Sequence, residues 1–321
     1  MRSGWGGGKM KALRQVAGRI RSAIITRTGA GDIGPEEFVR LAYLVVLRRP
    51  ADATGIDGWR RQIERGNFST QRVLDSLLGS EEYLANCGAD IFRRLHMARQ
   101  RWIRSVDAFD SILDIGGSSA GRREGALIEL GYPHRPSRLD ILDLPPERQF
   151  WGTPTFDQTE PFDFDWGRVT YFHGSAEGVA NVPALQSRRY QCIFMGQAIE
   201  HILPEKLPEL LAWIRAHLLP GGRFVMDTPN RAITKIHSPD AYINEDHKLE
   251  YTPDQLEEVL AVSGFSVTRK TGLVHLPEMA RTGVFDARWF TEATLVHDDA
   301  DASYLFAFEA VPNPQHTDIH Q

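Results

Sequence analysis

Three short stretches of this 321-residue chain bring together residue types that can do chemistry. In SILDIGGSSAGR, an apolar strand pattern reaches Asp114 and gives way to Gly116, Gly117, Ser118, Ser119 and Ala120 at a turn into a helix. Small residues let a ligand approach the backbone closely, and the free N–H groups of a helix start favour a carboxylate. Asp114 is then placed to accept from the cationic amine of an amino-acid ligand, although a dinucleotide could use a similar loop. In RLDILDLPP, an acidic residue closing a strand can bind both hydroxyls of a ribose. Asp143 is the better placed and Asp140 the alternative; the 29-residue step from Asp114 to Asp143 exceeds the usual ~20. A turn or cap aspartate is the plain structural reading. The third stretch is Glu200-His201, with His247 further on in EDHKLEYT. An imidazole titrates near neutrality and can act as a general base, while packing at a helix start is the structural alternative for His201.

These residues need elements to hold them. From about Arg99 onward, apolar strand-like runs alternate with helical patterns, the signature of a parallel α/β sheet. The runs predict strands at 111–115, 139–142, 169–172, 192–195, 223–227, 265–270 and 304–311. Pro220-Gly221-Gly222 predicts a turn before the fifth, where glycine supplies a positive φ. Tyr251-Thr252-Pro253 opens a helix, and Leu276–Asp301 forms a long insertion carrying Arg281, Phe285, Arg288, Trp289 and Phe290. Aromatic rings beside guanidinium groups suit a sugar ring or an anionic glycan; an insertion wrapping its own small core fits equally.

Before the sheet, residues 35–98 carry only helical patterns. Pro35 with Glu36 and Glu37 marks a helix start, and Phe38, Leu41, Ala42, Val45 and Val46 follow at helical spacing. Asp52–Gly55 reads as a turn, Gly66-Asn67 as another, and Ser80-Glu81-Glu82-Tyr83 opens a last helix. The first 34 residues are a basic, partly disordered lead: seven basic residues and no acidic ones lie between Met1 and Arg27. A helix from Met10 with Leu13, Val16, Ile20 and Ile24 on one face could dock on anionic lipid or serve as a solvated lead-in. Residues 99–313 form the α/β domain and 314–321 a disordered tail.

Composition sets the outer limits. A hydrophobic share of 42% and a charged share of 25% are those of an ordinary globular protein. The net charge of −5 gives no reason to expect a nucleic-acid partner. Two cysteines supply no disulfide framework or metal cluster, which points to a reducing compartment. The expected location is cytoplasmic, with the basic lead allowing a peripheral contact at the inner membrane.

Two resemblances sharpen this reading. The string from Phe38 to Tyr83 resembles the bacterial domain-of-unknown-function family numbered 4214. Tyr43, Leu47, Arg49, Asp52, Gly55, Trp59, Gly66, Ser80, Glu82 and Tyr83 match, with Arg48 where that family usually has glycine. Such modules resemble accessory parts of surface-glycan proteins. The α/β region resembles the class I methyltransferases that use S-adenosylmethionine (SAM), a Rossmann-like seven-stranded fold. The glycine-rich turn after Asp114 corresponds to their [DE]-x-G-x-G-x-G, with Ser118 and Ala120 replacing glycines. Asp143 corresponds to their ribose-binding acid. Ser175-Ala176-Glu177, in YFHGSAEGV, fall at their adenine-bracketing G-D-A-[ED], with serine replacing the aspartate. YQCIFMGQAIEHILPEK…LLPGGRFVMDTPN is similar to their fourth-to-fifth strand stretch, with Gln191 for the usual aspartate, and places Gly196 and Gln197 at the mouth of the sheet.

The resemblance implies SAM as cofactor, bound by Asp114, Gly116, Gly117, Ser118, Asp143, Ser175, Ala176, Glu177, Gly196 and Gln197. His201, His247 and Glu200 are the implied catalytic group, and Arg281, Arg288 and Trp289 the candidate acceptor contacts. The Glu-His pair also resembles the E-x-x-E-H metal motif of some ubiquinone-pathway and small-RNA O-methyltransferases. Here its first glutamate is Gln197, so a divalent metal is not the favoured expectation. The expected function is O-methylation of a sugar hydroxyl on a bacterial surface polysaccharide or its precursor. The rivals are a methyltransferase for phenolic or other small metabolites and a degenerate SAM-binding scaffold in a glycan-assembly complex. A homo-oligomer is allowed by the sequence.

Overall fold

The computed structural model describes residues 33–78, 80–150 and 152–314. The basic lead helix and the polar tail expected above lie outside them. The chain divides into two compact units, Met1–Ile91 and Phe92–Gln321. Among the described residues no helix is long and apolar enough to cross a membrane.

The first unit is helical. Helix α1 (Pro35–Ala42) has Pro35 at its first position and Glu36 and Glu37 in its first turn, both favourable at a positive helix end. It runs into a π-helical turn, Tyr43–Leu47, which ends at Arg48 in the left-handed region (φ 59°). The extra residue in that turn rotates the buried face. Val46 and Leu47 go inside while Val45, expected in the core, is 46% exposed. Helices α2 (Ala53–Glu64) and α3 (Thr70–Leu78) complete the packing, and α4 (Glu81–Ile103) begins in this unit and ends in the second.

The motif residues are the unit's structural joints. Asp52 caps α2 by accepting from the Gly55 N–H at 2.8 Å. A Cβ on Gly55 would stand 2.7 Å from the Tyr43 hydroxyl, which in turn accepts from Trp59 Nε1 at 3.3 Å. Arg49 grips Glu82 with two N–H groups, at 2.5 and 3.0 Å. The family's glycine before that arginine is explained by φ: glycine adopts it without strain, whereas an L side chain costs ~1–2 kcal/mol there. Arg48 is offset by an ion pair to Asp90.

The second unit is one sheet of nine strands in the order β3-β4-β2-β1-β5-β6-β9-β7-β8. The seven expected strands are all present: β1 (Ser111–Ile115), β2 (Arg138–Asp143), β4 (Gly167–His173), β5 (Tyr190–Gly196), β6 (Leu218–Pro229), β7 (Phe265–His275) and β9 (Ser303–Pro312). Strands β4, β2, β1, β5 and β6 run parallel, and β9 enters antiparallel between β6 and β7. This is the Rossmann-like class I methyltransferase sheet. Two short edge strands enlarge it from seven to nine: β3 (Phe162–Phe164) folds back on β4 and β8 (Thr294–His297) on β7. Both are too short to show periodicity, and β8 forms inside the stretch read as an insertion.

The core lies on the sheet faces, with Leu113, Ile115, Ile193, Met195, Phe224, Met226, Phe306 and Phe308 buried. Helix α6 (Leu207–His217) adds Leu207, Leu210, Leu211 and Ile214; α8 (Pro253–Val262) adds Leu256 and Leu260. Helix α8 starts as its sequence suggests, with Thr252 and Gln255 capping each other. The helix expected directly after Ala120 does not start there. The Ser119 hydroxyl accepts from the N–H groups of Gly121 and Arg122 at 3.3 and 3.0 Å. That local turn competes with the helix, and α5 (Gly125–Glu129) begins only at Gly125. Helix α7 (Arg231–His237) follows β6 at once, capped by Asn230, whose side chain accepts from the Ala232 N–H at 2.9 Å.

Candidate active site

The chain runs β1, β2, β4 outward on one side and then crosses to β5 and β6 on the other. Strands β1 and β5 are therefore neighbours whose connections leave in opposite directions, the point where open α/β sheets bind ligands beyond their carboxyl ends. The loops after them touch there: a Cβ on Gly116 (φ +79°) would lie 3.2 Å from Ala198 Cβ. Three aspartates converge on this edge, from β1, β2 and β6.

Asp114 is 2% exposed, and its Oδ2 has no hydrogen-bond partner. Its carboxylate fills the space where a Gly117 Cβ would stand, 2.1 Å away, so only glycine fits above it. Burial, reinforced by the charge of Asp143, pushes the Asp114 carboxyl up to about 7; the Leu127 N–H and Arg99 pull the other way. Asp143 accepts from the Ser118 N–H at 2.9 Å and the Leu144 N–H at 2.7 Å. Burial still raises its pKa against those hydrogen bonds. The Ser118 hydroxyl is buried beside the same carboxylate. Asp140, the alternative to Asp143, is fully taken: it accepts from Arg188 at 2.7 and 2.8 Å and from the Tyr190 hydroxyl at 2.8 Å.

Asp227, at the end of β6, and Arg99, on α4, were not singled out by the sequence. Arg99 donates to both Asp227 oxygens, at 2.6 and 3.1 Å, and Gln197 Nε2 donates to Oδ2 at 2.8 Å. Gln197 sits at φ 54°, with its N–H on the Asp227 carbonyl at 2.8 Å. Gly196 is glycine because a Cβ would come within 2.8 Å of Arg99 Nη2 and of the Phe194 ring. The two partners are 128 residues apart, so no local pattern announces them.

After β4, Ser175 caps the turn that holds Ala176 and Glu177, accepting from the Gly178 N–H at 3.1 Å. Glu177 accepts from the Leu203 N–H at 2.8 Å, which ties this turn to the one after β5. That second turn, Ile199–His201, presents the Glu-His pair. The Glu200 carbonyl accepts from the N–H groups of Lys248 and Leu249, which brings His247 alongside. The two imidazoles meet edge-on, 4.8 Å between centroids. Glu200 is fully buried, with Oε2 accepting from Thr228 at 2.9 Å and Oε1 unpartnered. Burial lifts its pKa to about 7. Burial, then the neighbouring His247, lowers that of His201, which keeps it neutral and able to take a proton.

Behind His247 stands Glu250, 1% exposed. It accepts from His247 Nδ1 at 2.9 Å, from the Ile243 N–H at 2.8 Å and from the Thr234 hydroxyl. These bonds outweigh the burial that would raise its pKa and hold it below the usual range. Potential ligand atoms of Glu200, His201 and His247 lie within 4.8 Å of one another. Two atoms on one ion at ~2.1 Å each are at most about 4.2 Å apart, so a divalent cation would fit after a small contraction.

The three insertion residues stand apart from this cluster in their contacts. Arg281, on α9 (Pro277–Thr282), pairs with Glu278, and Arg288, opening α10 (Arg288–Glu292), pairs with Asp286. Trp289 follows in the same helix, partly buried. The insertion's aromatic residues pack inward: Phe285 stacks on His237 at 4.2 Å, and Phe290 meets Tyr304 at 5.0 Å. Each guanidinium thus has a carboxylate beside it, and the Arg281 side chain stays 69% exposed.

Comparison with known proteins adds the following. The family profile "Domain of unknown function (DUF4214)" matches residues 19–87. No curated protein sequence matches the chain. A SAM-dependent methyltransferase from Archaeoglobus fulgidus is similar in structure, at 16% identity and a TM-score of 0.44, over 67% of this chain and 92% of that one. A putative methyltransferase from Haloferax volcanii, in complex with the Trm112 activator, aligns at 15% identity and a TM-score of 0.48, over 74% and 98%. A possible histamine N-methyltransferase from Thermotoga maritima aligns at 13% identity and 0.45, over 69% and 90%. The chain joins a DUF4214 region to a sheet whose own strand order is that of the class I methyltransferase fold.

Proposed function

We propose that the protein is a SAM-dependent O-methyltransferase whose acceptor is a sugar hydroxyl of a surface polysaccharide or its precursor. One observation carries the cofactor part: a buried carboxylate, Asp114, keeps an unpartnered oxygen at the sheet's switch point, under a glycine turn and beside Asp143. A buried carboxylate without a partner is costly. A cationic amine is the complement it lacks, and Asp143, at the end of the neighbouring strand β2, offers a second acceptor. The two acceptors match the chemistry of the amino-acid and nucleoside ends of SAM, which when bound supplies an electrophilic methyl on a sulfonium.

The chain's own residues would then orient an acceptor hydroxyl and remove its proton. As the oxygen–methyl bond forms and the sulfur–methyl bond breaks, the hydroxyl proton passes to an imidazole. His247 is fitted for this: Glu250 holds its Nδ1 as the donor, leaving the Nε2 lone pair toward Glu200 and His201. Neutral His201 is the neighbouring acceptor. Alignment and general-base help are the two contributions such a transfer needs. The closeness of Glu200, His201 and His247 supports a second reading, in which they hold a divalent cation that orients the acceptor oxygen. Activity lost to chelation and restored by added Mn²⁺ or Mg²⁺ separates that reading from a metal-free base.

The sugar acceptor rests on the DUF4214-like module and on the insertion that carries Arg281, Arg288 and Trp289. Calorimetric titration with S-adenosylhomocysteine tests the cofactor part: micromolar binding by the wild type should weaken at least tenfold in Asp114→Asn. Absence of wild-type binding would favour the scaffold rival. Radiolabelled methyl transfer to cell-surface polysaccharide fractions tests the acceptor, with phenolic small molecules as the competing panel.

A further inference from the structure

We propose that Phe150 is the platform on which the acceptor's sugar ring lies while one of its hydroxyls meets the imidazole pair. This deepens the methyltransferase reading above and rests on it. A base alone does not align an acceptor; the part of the molecule that does not react must also be held. Around His201 the surface available for that is apolar. Among the described residues few large apolar side chains are exposed, and Phe150 (60%) and Leu203 (37%) are two of them. Both belong to the surroundings of His201. The Phe150 ring stands 6.1 Å from the His201 imidazole between centroids, tilted by 55°, and Leu203 follows His201 by two residues on the same turn.

The backbone holds this ring out rather than tucking it in. After β2, Pro146–Arg148 form a short 3₁₀ turn, and Gln149 is extended (φ −68°, ψ 139°). Gln149 is buried, its Nε2 donating to the Leu144 carbonyl at 3.0 Å and to Gln158 Oε1 at 2.9 Å. Successive side chains of extended backbone point opposite ways, so pinning Gln149 inward turns Phe150 outward, beside His201. A phenyl face offers no charge and no hydrogen bond; its negative quadrupole takes slightly positive C–H groups. It therefore favours an uncharged ring with hydroxyls on its rim. A pyranose has such a face, and so has a phenol.

The test is steady-state transfer of radiolabelled methyl from SAM into a cell-surface polysaccharide fraction and, separately, into a panel of simple phenols. S-adenosylhomocysteine is titrated by calorimetry into the same proteins: wild type, Phe150→Ala, Phe150→Tyr and Leu203→Ala. Phe150→Ala should raise the half-saturating concentration of polysaccharide about tenfold with kcat changed far less, because it removes binding common to ground and transition states. Phe150→Tyr keeps the ring and should recover most of that loss, and Leu203→Ala should show a smaller rise. Affinity for S-adenosylhomocysteine should match the wild type throughout, which also reports that each variant is folded. An unchanged half-saturation in Phe150→Ala would overturn the platform and leave the methyltransferase reading standing. A parallel loss of S-adenosylhomocysteine affinity would overturn it too, by placing the ring in the cofactor site. So would a fall in kcat alone, which would make the ring a support for His201. Transfer to phenols but not to polysaccharide would overturn the sugar assignment. If the wild type binds S-adenosylhomocysteine but methylates neither acceptor, the acceptor reading fails and the platform with it.

Discussion

At the scale of single residues, Asp114 carries opposing demands of function and stability. Its pKa stands near 7 in the folded chain against ~3.9 in an unfolded one. Below pH 4 both states are protonated and the group is neutral to folding. Between about pH 4 and 7 only the unfolded state ionises, so folding stability falls as pH rises and then levels off. Asp114→Asn removes that loss. The melting temperature of the variant, minus that of the wild type, should therefore grow by a few degrees from pH 5 to pH 8 in the absence of ligand. A constant gap would mean the buried carboxyl is already ionised. The aspartate and its glycine turn were legible from the sequence because they are contiguous. Arg99 and Asp227 were not, because their meaning arises only when α4 crosses the end of β6.

Among elements, glycines of one helix make a clean contrast. In α2, a Cβ on Gly55 meets the Tyr43 hydroxyl, whereas Gly58 has nothing within 4 Å. Gly55→Ala should destabilise the helical unit by about 1–3 kcal/mol through overpacking. Gly58→Ala should stabilise it by roughly 0.5–1 kcal/mol through helix propensity alone. Thermal unfolding followed by circular dichroism reads both, and effects of the same sign would contradict the packing described. The segment from Arg231 to Glu250 offers a second case. Glu250→Ala should release His247 from its Nδ1–H tautomer, visible in long-range ¹H–¹⁵N spectra of the imidazoles; an unchanged tautomer would show that another group fixes the ring. The sequence marked His247 but not its carboxylate, three residues on, because Glu250 reads as one more polar residue before a helix. The same blindness shortened α5: Ser119 looks like a small loop residue until its hydroxyl is seen taking two backbone N–H groups.

At the scale of the molecule, β1, β2, β5, β6 and β9 were readable because each buries a run of residues on both faces, and β4 because its buried residues alternate. The two edge strands were hidden by their length. Helix α4 has no such pattern break at Phe92, where the second unit starts, yet its later turns belong there. Arg94 donates to the carbonyls of Phe290 and Ala293 at 2.9 and 2.5 Å, and Trp102 stacks on Phe194. A fragment beginning at Phe92 should bind S-adenosylhomocysteine as the full chain does. One beginning at Arg99 should melt several degrees lower, since the Arg94 anchors are gone; equal melting points would show those anchors to be dispensable.

The position of β9 also sets an order of events during synthesis. It pairs with β6 on one side and β7 on the other, yet it is the last of the nine strands to leave the ribosome. Until residues 303–312 emerge, β6 has an open edge, and the β7–β8 hairpin has no sheet to join. Both edges are apolar and ready to pair with any other chain. A nascent chain stalled before Ser303 is therefore a natural client for a chaperone, and premature stop codons upstream of that residue should yield aggregates even though every residue of the candidate active site has already been made.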